Sequence, residues 1–139
     1  VQCGEKTLVI GGGLVGCETA DYLGQRGFDV TLVEAKDDIV EDIISEHRIY
    51  LMKNFVENQV EVFTSSPVLK VNKNSAVINR NDSQVELKGF DSIVLALGSK
   101  AYQPFNKQFA NEQYVIGDAK DARRAIDALK EAREIIVKI

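Results

Sequence analysis

A glycine-rich turn directly behind a short apolar run constrains this chain more than any other feature. Leu8-Val9-Ile10 is an unbroken apolar segment, short enough to be a strand buried on both faces. Gly11-Gly12-Gly13-Leu14-Val15-Gly16 follows at once. A helical pattern then runs through Ala20 and Leu23, and predicts a helix that opens in the glycines and stops at Gly27. Val30-Thr31-Leu32-Val33 predicts a second strand, closed by Glu34. Strand, glycine turn, helix and strand together make a βαβ unit, which requires a parallel sheet.

Gly11, Gly13 and Gly16 satisfy the pattern GxGxxG, and each position has a physical task. The first allows a tight strand-to-helix turn, the second lets a pyrophosphate approach the backbone, and the third lets the helix lie close to the sheet. The helix N-terminus, with Leu14 and Val15 in its opening turn, then offers N–H groups and partial positive charge to phosphates. Alone the pattern is weak, since many turns contain glycines. Here a strand precedes it, a helix follows it and an acid ends the next strand. The competing reading is a tight turn without a ligand.

Glu34 stands 18 residues beyond Gly16, where a second strand delivers a carboxylate to an adenosine ribose. Such a carboxylate accepts bonds from ribose hydroxyls and repels a 2′-phosphate, which favours NADH over NADPH. Lys36, just past Ala35, works in the other direction. The competing reading of Glu34 is a solvated acid at a strand end. Glu18 is expected in the first turn of the helix, where the dipole favours an acid whether or not a ligand is present.

Beyond Glu34 an amphipathic helix is expected from about Glu41 to Glu57, with its stripe at Val40, Ile43, Ile44, His47, Leu51 and Phe55. His47 on that stripe is expected to be a packed residue rather than a catalyst. Val60 to Phe63 reads as a third parallel strand. After Pro67 the rhythm changes to period two: Val68–Val71, Ala76–Ile78 and Val85–Leu87 predict an antiparallel meander, spanning about 66–88. Ile93 to Leu97 returns to a buried strand that ends at Gly98. Tyr114-Val115-Ile116 predicts another buried strand, ending at Gly117-Asp118, before a final helix with apolar Ala122, Ala125, Ile126, Leu129, Ala132 and Ile136.

The expected fold is therefore α/β: a Rossmann-like parallel sheet with helices on both faces and an inserted antiparallel β-meander. The 139 residues suit one compact domain, and a net charge of −4 with scattered Lys and Arg argues against nucleic-acid or membrane-surface partners. No apolar run is long enough to span a bilayer, and no signal-peptide pattern is seen. Cys3 and Cys17 lie outside CxxC spacing, and with one His they make no metal cluster. A helix N-terminus lowers a thiol pKa, but the reading preferred for Cys17 is a small buried packing residue. A reducing cytoplasm fits two such cysteines. Val1 in place of Met, and a helical pattern running to Ile139, suggest a piece of a longer chain.

Gly11 to Ala20, with Thr31-Leu32-Val33-Glu34, resembles the NAD(P)H domain of pyridine-nucleotide-dependent flavoproteins. The resemblance is closest to the C-terminal half of the enoate reductase, 2,4-dienoyl-CoA reductase and NADH:flavin oxidoreductase group. Leu95-Ala96-Leu97-Gly98-Ser99, with Pro104 beyond, is similar to that group's crossover out of the NAD domain. Tyr114 to Asp118, followed by Arg123 and Ala125, is similar to its return segment in the FAD domain.

The resemblance implies an NAD(H)-binding domain over 1–113 and an FAD-domain segment over 114–139. It implies that Gly13 to Gly16 hold the pyrophosphate, that Glu34 meets the adenosine ribose within a cofactor-binding set that also includes Gly11, Gly12, Ala35 and Lys36, and that Val68 flanks the adenine. It places Glu18 towards the nicotinamide, has Gly98 allow close cofactor approach, and has Gly117 and Asp118 meet the FAD of a complete enzyme. Hydride would pass from nicotinamide to flavin, with no catalytic side chain from this chain. A single glycine fingerprint leaves the FAD pyrophosphate without its own, and two cysteines cannot ligate an iron–sulfur cluster. The partners implied are the absent FAD, FMN and iron–sulfur domains, with the last helix packing on the NAD domain or on another copy. Two other readings stand beside this one: a vestigial or regulatory adenine-nucleotide module, and a methyltransferase, against which the meander and Gly117-Asp118 argue.

Overall fold

A computed structural model describes residues 3–40, 45–105 and 112–138. The chain forms two compact units, Val1–Gly98 and Ser99–Ile139. In chain order the first unit contains β1 (Lys6–Ile10), α1 (Leu14–Gly24), β2 (Asp29–Val33), α2 (Ser45–Glu57), β3 (Glu61–Phe63), β4 (Val68–Val71), β5 (Ser75–Arg80), β6 (Ser83–Lys88) and β7 (Ser92–Leu95). β3, β2, β1 and β7 lie in that order in one parallel sheet, and β4, β5 and β6 make an antiparallel one.

The apolar runs alternate sides as strand geometry requires. Val9, Val30 and Leu32, with Val62 and Val94, face Cys17, Ala20 and Leu23 of α1 and Leu51 and Phe55 of α2. Leu8, Ile10 and Val33, with Phe63 and Ile93, face Ala76 and Ile78 of β5 and the buried Phe90. Both faces of β1 are thus dry, which is why its sequence carries no polar alternation. The sequence reading placed helices on both faces. In this unit α1 and α2 share one face, and the meander covers the other.

β7 forms as expected but lies at the edge of the sheet, so Leu95 is 61% exposed where a buried strand was expected. α1 spans Leu14–Gly24, and Gly27 (φ 81°) closes its end as expected, with Gly27 N–H donating to the Gly24 carbonyl at 2.9 Å and Phe28 N–H to the Leu23 carbonyl at 3.3 Å. In α2, Leu51 and Phe55 are buried, whereas Ile43 and Ile44 of the expected stripe fall outside the described residues. The β5–β6 connection is a two-residue turn at Asn81-Asp82, both left-handed (φ 51° and 59°), the hairpin geometry that matches strand twist.

The second unit contains a 3₁₀ turn, Gly117–Ala119, and α3 (Ala125–Ile136). Tyr114–Ile116 forms no strand, contrary to expectation, because no sheet exists among the described residues of this unit to supply ladder partners. Glu131 of α3 ties the unit together: it accepts the Gly117 N–H at 2.8 Å and pairs with Lys120 Nζ at 2.9 Å and with Arg123. Those three donors hold its carboxyl down to about 2, the Gly117 N–H contributing most. No described residue of α3 is buried. No helix among the described residues is long and apolar enough to cross a membrane.

Candidate functional site

The parallel strands end together, with Ile10 beside Val33 and Leu95, and Val33 beside Phe63. From β1 the chain passes to β2 on one side and later returns to β7 on the other. This is a topological switch point, the place where open α/β sheets bind ligands at the carboxyl ends of their strands. The glycine turn occupies it.

Each glycine of the turn meets different surroundings. Gly11 adopts φ +111°, and a Cβ there would lie 2.2 Å from the Ala96 carbonyl oxygen. At Gly16 a Cβ would lie 1.8 Å from the Gly11 carbonyl oxygen, so any side chain would push α1 off the sheet. At Gly12 it would meet Ile39 Cγ2 at 2.5 Å and Glu34 Cβ at 2.9 Å. Gly13 differs: nothing lies within 4 Å, and the residue is exposed. The backbone is bare where a ligand would approach and packed everywhere else.

Gly13 is also the N-cap of α1, and no side chain caps it. The first intrahelical bond runs from Cys17 N–H to the Gly13 carbonyl at 3.0 Å, so the N–H groups of the opening turn precede the ladder. No acid occupies that turn. Glu18, expected there, lies one turn further along because the helix starts at Leu14; it is exposed, its Oε1 3.9 Å from His47 Nε2. His47 is exposed rather than packed, since it precedes Leu51 by one turn and reaches past the core towards Glu18. With no side-chain cap and no acidic neighbour in the turn, the end of α1 suits a diphosphate.

Glu34 is held beside the turn. Its Oε2 accepts the Gly12 N–H and its Oε1 accepts the Lys36 N–H at 2.8 Å, so both carboxylate oxygens are fixed in place by backbone. Its own N–H donates to the Phe63 carbonyl at 2.8 Å, and its carbonyl accepts from Ser66 N–H at 2.9 Å. Ala35 and Lys36 are exposed beside it. Val68 opens β4, half-buried against the core of the meander face, and Gly98 (φ +82°, open surroundings) lies two residues beyond Ala96. Gly11 through Gly16 thus converge with Glu34 in the first unit, while Gly117 and exposed Asp118 belong to the second.

Sequence reasoning missed the clasp that shapes the loop after Glu34. Arg48 Nη2 reaches both Asp38 carboxylate oxygens at 2.6 Å, and Val40 (φ 48°) donates its N–H to the Gly12 carbonyl at 2.9 Å. Asp38 and Arg48 lie ten residues apart with no motif linking them, so only the fold brings the pair together. Cys17 is fully buried, with Sγ 3.3 Å from the Gly12 carbonyl it donates to. Burial first, then the charges of Glu34 and Glu18, push its thiol up to about 12. It is a packing residue. Among the described residues no cluster of three or more His, Cys, Asp or Glu could hold a metal ion.

Fold and turn together define a dinucleotide-binding α/β domain. Similarity makes the class narrower. The model of the pyridine nucleotide-disulphide oxidoreductase family matches residues 2–108, and the chain belongs to that family. It is 33% identical to a cinnamate reductase of Clostridium sporogenes, covering 95% of this chain and 21% of that protein. It is 30% identical to an NADH oxidase of Thermoanaerobacter brockii, covering 94% and 21%. The fold superposes on a 2-naphthoyl-CoA reductase with a TM-score of 0.81 at 24% identity, covering 100% of this chain and 22% of that one. The chain thus spans about a fifth of the length of these curated relatives, and the family's cofactors are NAD(P)H and FAD.

Proposed function

We propose that this chain is the NAD(P)H-binding part of a multidomain flavin-dependent oxidoreductase, of the enoate reductase, 2,4-dienoyl-CoA reductase and NADH:flavin oxidoreductase kind. One observation carries the reading: the bare Gly13 backbone and uncapped α1 stand beside a Glu34 carboxylate fixed by Gly12 N–H. In this reading residues 1–113 receive the nicotinamide dinucleotide, and 114–139 complete the FAD domain of the parent protein.

The turn's N–H groups bind the pyrophosphate, and Gly11 and Gly16 hold those groups in register by close packing. Glu34 accepts the hydroxyls of the adenosine ribose and disfavours a 2′-phosphate, so NADH is preferred to NADPH. Glu18 lies towards the nicotinamide, Val68 towards the adenine, and Gly98 leaves room for the cofactor. Gly117 and Asp118 serve the FAD. When both cofactors are bound, the reduced nicotinamide supplies a hydride that the flavin accepts. The apolar face of α3, with Ile126, Leu129 and Ile136, is covered by the rest of the parent chain or by another copy. The setting is the cytoplasm, and the chain alone does not turn over substrate.

Names among the relatives support this reading: cinnamate reductase, NADH oxidase and bilirubin reductase. The test is anaerobic stopped-flow on the parent protein. Bleaching of its flavin by NADH is expected, needing about tenfold more NADH in the Glu34→Ala variant and lost in the Gly13→Val variant. A flavin that NADH leaves oxidised, in a protein that still binds ADP, would replace this reading with a vestigial nucleotide module.

A further inference from the structure

The end of β5 carries a cation that the reading above does not use. Ile78 and Arg80 are two residues apart and so face the same side of the meander, the side turned to the parallel sheet. Ile78 is fully buried in the core there. Arg80 lies beyond the rim of that core, exposed, with its guanidinium carbon 4.5 Å from the centroid of the Phe63 ring.

Three backbone hydrogen bonds tie this spot to Glu34. The Phe63 carbonyl accepts Glu34 N–H at 2.8 Å, the Glu34 carbonyl accepts Ser66 N–H at 2.9 Å, and the Pro67 carbonyl accepts Asn79 N–H at 2.9 Å. The end of β3, the loop over 64–67 and the end of β5 are thereby tied to the Glu34 backbone. Among the described residues Arg80 has no carboxylate partner, whereas Arg48 is clasped by Asp38 and Arg123 by Glu131 and Asp121. It is a planar cation seated on one ring and otherwise exposed, at the end of the sheet where Glu34 stands.

We infer that Arg80 is a binding residue for the adenine base: the base of a dinucleotide whose ribose is held by Glu34 stacks on the Arg80 guanidinium. This rests on the proposed dinucleotide reading. A purine offers a π face, and arginine stacks on such faces whatever their hydrogen-bonding edge. Phe63 fixes the guanidinium in place before the base arrives, so little freedom is lost on binding.

Calorimetric titration of the full chain with ADP-ribose, which contains the adenosine half and no nicotinamide, tests this. Arg80→Ala is expected to weaken ADP-ribose about 5- to 10-fold. Arg80→Lys keeps the charge and the stem over Phe63 but loses the plane, and is expected to weaken it nearly as much. Wild-type affinity in Arg80→Ala would overturn the inference, and so would full recovery in Arg80→Lys. A loss confined to 2′-phospho-ADP-ribose would overturn it too, assigning Arg80 to a phosphate instead. Thermal melting of each variant separates lost binding from lost fold. Should the folded wild-type chain fail to bind ADP-ribose, the dinucleotide reading itself falls, a result that needs no variant to recognise.

Discussion

A methyl group added at Gly13 and one added at Gly16 should act in opposite ways, although the two glycines stand three residues apart. Gly13→Ala enters open space at an ordinary φ of −70°, so the melting temperature should hold while dinucleotide affinity falls about tenfold. Gly16→Ala drives a Cβ into the Gly11 carbonyl and should cost about 1–3 kcal/mol of stability. Thermal melting and cofactor titration of the pair decide this; a Gly13→Ala protein that binds normally would contradict the pyrophosphate role. Glu34→Ala should weaken NADH by about tenfold or more, the scale of lost charge-assisted hydrogen bonds, and NADPH by less. Equal losses would refute the ribose role. Cys17 should resist thiol reagents at pH 8 while the chain is folded, since its thiol stays protonated up to about 12, and the less buried Cys3 should label first. At this scale the turn and Glu34 were legible in sequence because local spacing decides them. Arg48–Asp38 and Arg80–Phe63 were not, because tertiary folding alone brings such distant positions together.

Among the elements, β1, α1 and β2 could be read directly, since a buried parallel strand and an amphipathic helix write their periods into the sequence. The meander was equally legible from its period-two rhythm. Where the reading failed, the neighbours decided. Tyr114-Val115-Ile116 has the composition of a buried strand but no partner strand in its unit, and β7 is apolar yet lies at an edge. His47 follows helical spacing, but the core ends one turn before it reaches that position. The clasp on Glu131 gives the second unit a pH dependence with a definite sign. The carboxyl is held at about 2, below the ordinary value near 4.3, so its contribution is complete above pH 5 and fades as pH falls towards 2. The protection of the Gly117 amide, its exchange rate taken relative to that of an unstructured peptide at the same pH, should therefore fall across that window. In Glu131→Gln that protection should already be low at pH 7 and should change little between pH 5 and pH 2.

For the whole molecule, the parallel sheet is closed on one face by α1 and α2 and on the other by β4, β5 and β6. At the carboxyl ends of the strands the glycine turn, Glu34 and the loop leading into the meander come together. In the proposed reading the second layer contributes Val68 and Arg80 to the adenine end of the site while packing the core. Its place could not be read from sequence, since period-two strands disclose that they pair and not which face they cover. The chain spans about a fifth of the length of its curated relatives, and the question it can be asked directly is whether it binds the cofactor. Calorimetric titration of the 139-residue chain with NADH is that measurement. Saturable 1:1 binding that ADP-ribose displaces is the predicted result; no binding at millimolar NADH, with the fold intact by circular dichroism, would contradict the account.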